Sequence, residues 1–192
     1  MIKLNWFFVA TIVLLVVFGI FALNNYREKS MIRGENTDDL GNDFVAGQKE
    51  EWMNTELKDI RTGEFFKISD FQDRPVLLES FAVWCPKCLI QQQEIKELSQ
   101  KLGDSFIAVS LDTDPNEDED KVREYIESKG FNWYYAVSPS VMTKALIEEY
   151  STEIVNAPST PIIIICREEA RKLRSGIKSY SELEAEINKC TN

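Results

Sequence analysis

Two cysteines three positions apart, in Trp84-Cys85-Pro86-Lys87-Cys88, follow directly on an apolar run from Val76 to Val83. The run has the length and apolar density of a buried strand, and a helical pattern begins at Pro86. The chain therefore passes from strand to helix at the first thiol. That places Cys85 at a helix N-terminus with its sulfur exposed, where backbone N–H groups and the helix dipole stabilise a thiolate. A second thiol one turn away lets the first attack a disulfide and then be released by its neighbour. The segment reads as a redox site.

The chain has 192 residues, which allows one domain of ordinary size and something extra. Its 44% apolar and 11% aromatic content is enough to build a core. A formal charge of −10, with no basic stripe to neutralise phosphates, speaks against a nucleic-acid partner. There is no histidine. That absence removes Cys–His and Ser–His–Asp catalysis, imidazole metal sites and histidine pH switching together.

Residues 1–23 supply the extra. Trp6 to Leu23 carries no charge, and as a helix rising 1.5 Å per residue it spans most of a hydrocarbon core roughly 30 Å thick. The run is longer than the apolar region of a cleaved signal, about 7–15 residues, and Phe21-Ala22-Leu23 makes a poor cleavage site. A retained transmembrane anchor is expected over 6–23, with Trp6 and Tyr26 at the interfaces. Arg27, Lys29 and Arg33 outnumber Lys3, which on charge alone points the domain to the cytoplasm. The pairing of an anchor with a redox domain points instead to an oxidising, extracytoplasmic compartment, and that orientation is the one expected. Residues 24–49 read as a flexible tether, with Gly34, Gly41 and Gly47 and no apolar periodicity.

The folded domain is expected over 50–192. Glu56 to Ile60 and Glu64 to Ile68 flank Arg61-Thr62-Gly63 as a β-hairpin. A helix over Pro86 to Leu102 is stopped by Gly103, and a second buried strand covers Phe106 to Leu111. A helix from Glu119 to Lys129, an aromatic strand from Phe131 to Val137 and a helix from Ser140 to Tyr150 follow. Ile162 to Cys166 is a central strand, or the one beside it, Arg171 to Ile177 an edge strand, and Tyr180 to Lys189 a closing helix. Strands alternating with helices define an α/β sandwich. The acidic stretch from Asp112 to Asp120 lacks the glycine and the twelfth-position glutamate of a calcium loop, since Arg123 stands there. It reads as a solvated loop feeding a helix N-terminus.

With the order of elements set out, the domain resembles the thioredoxin superfamily. Within it, the domain looks like the membrane-anchored, disulfide-reductase-type branch represented by the cytochrome c maturation thioredoxins. The likeness covers about residues 52 to 190. It rests on Pro75 through Cys88, on Pro158-Ser159-Thr160-Pro161, and on Gly176 before the last helix. It implies a three-layer α/β sandwich with a central mixed sheet, an N-terminal β-hairpin and one inserted helix after Leu111, here preceded by a transmembrane helix.

The same resemblance implies roles for single residues. Cys85 corresponds to the exposed attacking cysteine and Cys88 to the partly buried resolving one. Pro161 takes the place of a cis-proline against the sulfurs, turning the Thr160 backbone toward an incoming substrate strand. Glu79 lies where thioredoxins carry a buried aspartate that exchanges protons with the resolving cysteine. Alternation puts it on one strand face with Leu77, Phe81 and Val83. Trp84, Pro86 and Lys87 complete the expected active-site surface, and the Lys87 cation is expected to draw the Cys85 thiol from about 8.5 towards 7 or below. One departure from the branch is Gln91, which stands where an acidic residue is common three positions after the resolving cysteine.

Cys166 ends an apolar strand as a small hydrophobe, and Cys190 lies three residues from the end; the sequence leaves open whether they pair. The four cysteines do not have zinc-knuckle spacing, so no metal is expected, and no cofactor beyond the Cys85–Cys88 disulfide. The function expected is thiol–disulfide exchange with protein disulfides or dithiols, fed by a membrane electron donor. Two other classes compete. A thiol peroxidase wants Thr three residues before its nucleophile, where Ala82 stands, and a paired-cysteine metal-delivery module usually also needs a histidine.

Overall fold

The computed structural model describes residues 51–167 and 169–190. Its centre is a five-stranded mixed sheet, and the central strand is the apolar run that leads to the cysteines. The chain opens with a 3-10 turn over Glu51–Asn54 and a short hairpin, β1 (Leu57–Lys58) with β2 (Phe65–Phe66). Next come β3 (Val76–Phe81), α1 (Pro86–Leu102), β4 (Ile107–Asp112), α2 (Glu119–Lys129), β5 (Tyr134–Val137) and α3 (Ser140–Tyr150). The chain closes with β6 (Ile162–Cys166), β7 (Glu169–Lys172) and α4 (Tyr180–Asn188). The order across the sheet is β5-β4-β3-β6-β7. β3 pairs parallel with β4 and β4 with β5, while β6 runs antiparallel to both β3 and β7.

Both faces of the sheet are covered, which is why β3 and β4 are buried along their whole length and read as continuous apolar runs. Leu77 and Phe81 join Ile95 and Leu98 of α1, Val122 and Ile126 of α2, and Leu183 and Ile187 of α4 in one core. Val76 and Leu78 face the other way, onto Met142 and Leu146 of α3 and onto Trp52, Leu57 and Phe66. Glu79 therefore points into the layer that holds α1, as alternation along the strand requires.

Helix boundaries follow their punctuation. Cys85 caps α1 with Pro86 at its first position, and Gly103 ends it at φ +54°. Asp118 caps α2, accepting from the Lys121 N–H at 2.9 Å, and Gly130 closes it in the left-handed region. The strands differ more from expectation. The hairpin keeps only two residues per strand, because Ile68 begins a 3-10 turn over Ile68–Phe71. The edge strand β7 starts two residues before the expected Arg171 and ends at Lys172. Beyond it, Leu173 N–H is bonded to the Ile162 carbonyl and Gly176 N–H to the Ser159 carbonyl, which continues the register of β7 against β6 past the end of the strand.

The fold-class expectation is corrected in one respect. Among the described residues no helix is long and apolar enough to cross a membrane. The longest, α1, has 17 residues and thus about 26 Å of length, and it carries Lys87, Glu94, Lys96 and Glu97. The expected anchor over 6–23 and tether over 24–49 lie outside the described residues. What the structure supports is the α/β sandwich with its hairpin and inserted helix.

Candidate active site

β3 ends at Phe81, and within four residues the chain enters α1, so the strand-to-helix turn carries Cys85 at the N-cap. Its Sγ accepts the Cys88 N–H at 3.1 Å, a backbone donor aimed at the first sulfur. The two cysteines form a disulfide with Cα atoms 5.3 Å apart. Cys88 is fully buried, and its Sγ lies 3.2 Å from the Ala157 carbonyl oxygen. Cys85 was expected to stand exposed, but as a residue it is only 2% exposed. It lies on the wall of a groove of about 530 Å³ with Val83, Trp84, Pro86, Leu89 and Tyr125. Trp84 is 57% exposed, and Pro86 and Lys87 are exposed as well.

Thr160 and Pro161 take a different form from the one anticipated. No peptide bond among the described residues is cis, and the reversal before β6 is made by Thr160 itself, at φ +46°. Thr160 is fully buried, its N–H is bonded to the Ala157 carbonyl, and its own carbonyl accepts from Lys178 Nζ. The Pro161 carbonyl is bonded to Ser80 N–H at 3.1 Å. The backbone groups expected to meet a substrate strand are thus occupied within the protein.

Glu79 is fully buried between β4 and α1. Its Oε2 accepts from Ser110 Oγ at 2.8 Å and Gln92 Nε2 at 3.0 Å, while Oε1 has no partner. Burial pushes this carboxyl up to about 8, opposed by the two hydrogen bonds and by the Lys178 charge. Each of its partners is held in turn: Trp133 Nε1 donates to Ser110 Oγ at 2.9 Å, and Tyr125 OH donates to Gln92 Oε1 at 2.8 Å. Burial draws Lys178 the other way, down to about 8, with the Glu79 charge working against the shift.

Gln92 and Lys178 escaped the sequence reading. Gln92 lies four positions after Cys88, so helical spacing alone puts it on the same face. Lys178 gave no such signal, since it sits in a loop remote in sequence. The acidic stretch after β4 also does more than solvate a helix start. Buried Glu117 accepts the Val83 N–H at 2.6 Å, and Asp114 accepts from Trp84 Nε1 at 2.5 Å, so this loop holds the residues just before Cys85. Asp112 is buried beside them; burial pushes its carboxyl up to about 7, against the hydrogen bond from Asp114 N–H and with the Glu117 charge adding to the rise.

Strand order and the strand-to-helix turn that carries the CxxC pair define a thioredoxin-like fold. The chain belongs to the Redoxin family, whose model matches residues 46–170. It is 34% identical over 50 residues to a chloroplastic thioredoxin Y of Oryza sativa subsp. japonica, a match covering 26% of this chain and 30% of that one. It is 32% identical over 60 residues to a thioredoxin-like protein of Synechocystis sp., covering 31% of this chain and 55% of that one. The chain thus spans between about a third and about half the length of these curated relatives. Its fold is shared with a thiol:disulfide interchange protein of Chlorobium tepidum TLS at a TM-score of 0.61 and 14% identity, over 72% of this chain and 93% of that one.

Proposed function

We propose that the protein exchanges disulfides with protein substrates through Cys85 and Cys88. The observation that carries this reading is the helix-capping Cys85 on the wall of a groove, bonded to Cys88, with the Cys88 N–H aimed at its sulfur. In the reduced protein the Cys85 thiolate attacks one sulfur of a substrate disulfide. A Cys85–substrate bond forms, and the other substrate sulfur leaves as a thiolate. Cys88 then loses its proton to the Glu79 carboxylate and attacks Cys85 Sγ, which releases the second substrate thiolate and regenerates the Cys85–Cys88 disulfide. A dithiol donor protein returns the pair to the reduced state. The pair is itself the redox group, so no cofactor is required.

Glu79 suits proton transfer because a carboxyl near 8 holds and gives up a proton around neutral pH. Trp84, Pro86 and Lys87 would meet the substrate. The test is the Cys88→Ser variant: it should accumulate mixed disulfides through Cys85 and lose multiple turnover in an insulin-reduction assay. Full turnover by this variant would remove the two-thiol mechanism.

A further inference from the structure

The sequence left Cys166 and Cys190 unassigned, and the structure bonds them to each other, with Cα atoms 5.1 Å apart. Strand register sets this disulfide apart from the active site. Val76, the first residue of β3, pairs with Ile165, so Cys166 lies at the start of that strand, whereas Cys85 follows its end. Neither cysteine is fully buried. Both form part of the wall of a cavity of about 700 Å³, together with Arg167, Arg171 and Lys189. Among the described residues Glu169 is the one acid of that lining, and Glu186 pairs with both Arg171 and Lys189. Among those residues three cations stand against two carboxylates, on a chain whose formal charge is −10.

We infer that Cys166–Cys190 is a second redox site, opened by small anionic thiols that carry carboxylates. Reactivity of a disulfide depends on access, on the attacking thiolate and on which sulfur leaves as the better anion. Here the two sulfurs are unequal. Cys190 follows the C-terminus of α4; its N–H is bonded to the Ile187 carbonyl, and its sulfur lies 3.8 Å from the Glu186 carbonyl. That negative end of the helix disfavours a thiolate. Cys166 ends a strand and has, among the described residues, no helix C-terminus against it, so it is the better leaving group.

The thiolate therefore attacks Cys190 Sγ. A bond forms between the incoming sulfur and Cys190, the Cys166–Cys190 bond breaks, and Cys166 leaves with the electron pair as a thiolate. A second thiol molecule attacks the incoming sulfur, forms the symmetrical small disulfide and frees Cys190. In all, the protein gains two electrons and two protons, and the tie between the ends of β6 and α4 opens.

The test uses the full chain carrying Cys85→Ser and Cys88→Ser, exposed to glutathione or to cationic cysteamine at equal thiolate concentration. Acid quenching and peptide mass spectrometry then locate the adduct. The expected product is a mixed disulfide on Cys190, forming at least about tenfold faster with glutathione, as electrostatic steering allows. Arg171→Glu combined with Lys189→Glu should abolish or invert that preference. An adduct on Cys166, equal rates for the two thiols, or no adduct with either overturns the inference. If the serine variant does not fold, the same mapping on the unaltered chain separates the two disulfides by peptide, and the same outcomes decide.

Discussion

Gln91 closes a two-point hydrogen bond around the backbone of Lys178: its Nε2 donates to the Lys178 carbonyl at 3.0 Å, and its Oε1 accepts the Lys178 N–H at 2.7 Å. Lys178 in turn sends its ammonium to the Thr160 carbonyl, so α1, the loop before α4 and the turn before β6 are joined through buried polar groups. Here an amide is required, because a carboxylate could not donate to the carbonyl and would leave it unpaired.

Replacing Gln91 by Glu should therefore destabilise the domain by about 1–3 kcal/mol, the penalty for a buried carbonyl left without a donor. Urea unfolding at pH 7 measures it. A change within about 0.5 kcal/mol would show that the amide does not hold this junction.

Glu79→Gln should slow resolution of the mixed disulfide by about tenfold or more at pH 7, with little effect on the first attack by Cys85. Stopped-flow kinetics with the Cys85 and Cys88 steps separated can show this. Equal effects on both steps would reduce Glu79 to a packing role.

The same variant makes a prediction for stability against pH. The Glu79 carboxyl holds its proton more tightly in the fold, at about 8 rather than 4.5. The stability this contributes is complete below 4.5 and is lost as pH rises through about 8. Glu79→Gln cannot ionise, so it should gain stability relative to the unaltered protein between pH 5 and 9. Parallel stability–pH curves for the two proteins would contradict the burial argument.

Asp114→Ala removes the acceptor of Trp84 Nε1 beside the first cysteine. Since the hydrogen bond is to a charged group on an exposed side chain, the global stability loss should stay below about 1 kcal/mol. Trp84 fluorescence anisotropy should fall as the ring is freed. An unchanged anisotropy would mean that packing, and not Asp114, holds the indole.

Removing the second disulfide by Cys166→Ala with Cys190→Ala should cost about 2–4 kcal/mol, the usual range for a bridge, here between residues 24 apart. Thermal unfolding with and without a reductant provides the comparison. The effect of reductant on melting should diminish in the double variant.

Much of the domain was legible in the residues alone, because local chemistry decided it. The span of α1 from Pro86 to Leu102 follows from a proline at the first position, a periodic apolar face and a terminal glycine, all within one segment. The facing of Glu79 followed from strand alternation and the redox pair from its spacing. The state of Cys85, the occupation of the Thr160 backbone, the Gln91–Lys178 junction and the Cys166–Cys190 bond were not legible. Each depends on groups from separate segments meeting across the sheet or between helices, and on what their neighbours leave open to water. Spacing along a chain can place a thiol at the head of a helix. Only the packing of distant segments sets how far that thiol is covered, which carboxyl loses its hydration, and which cysteines come within bonding reach.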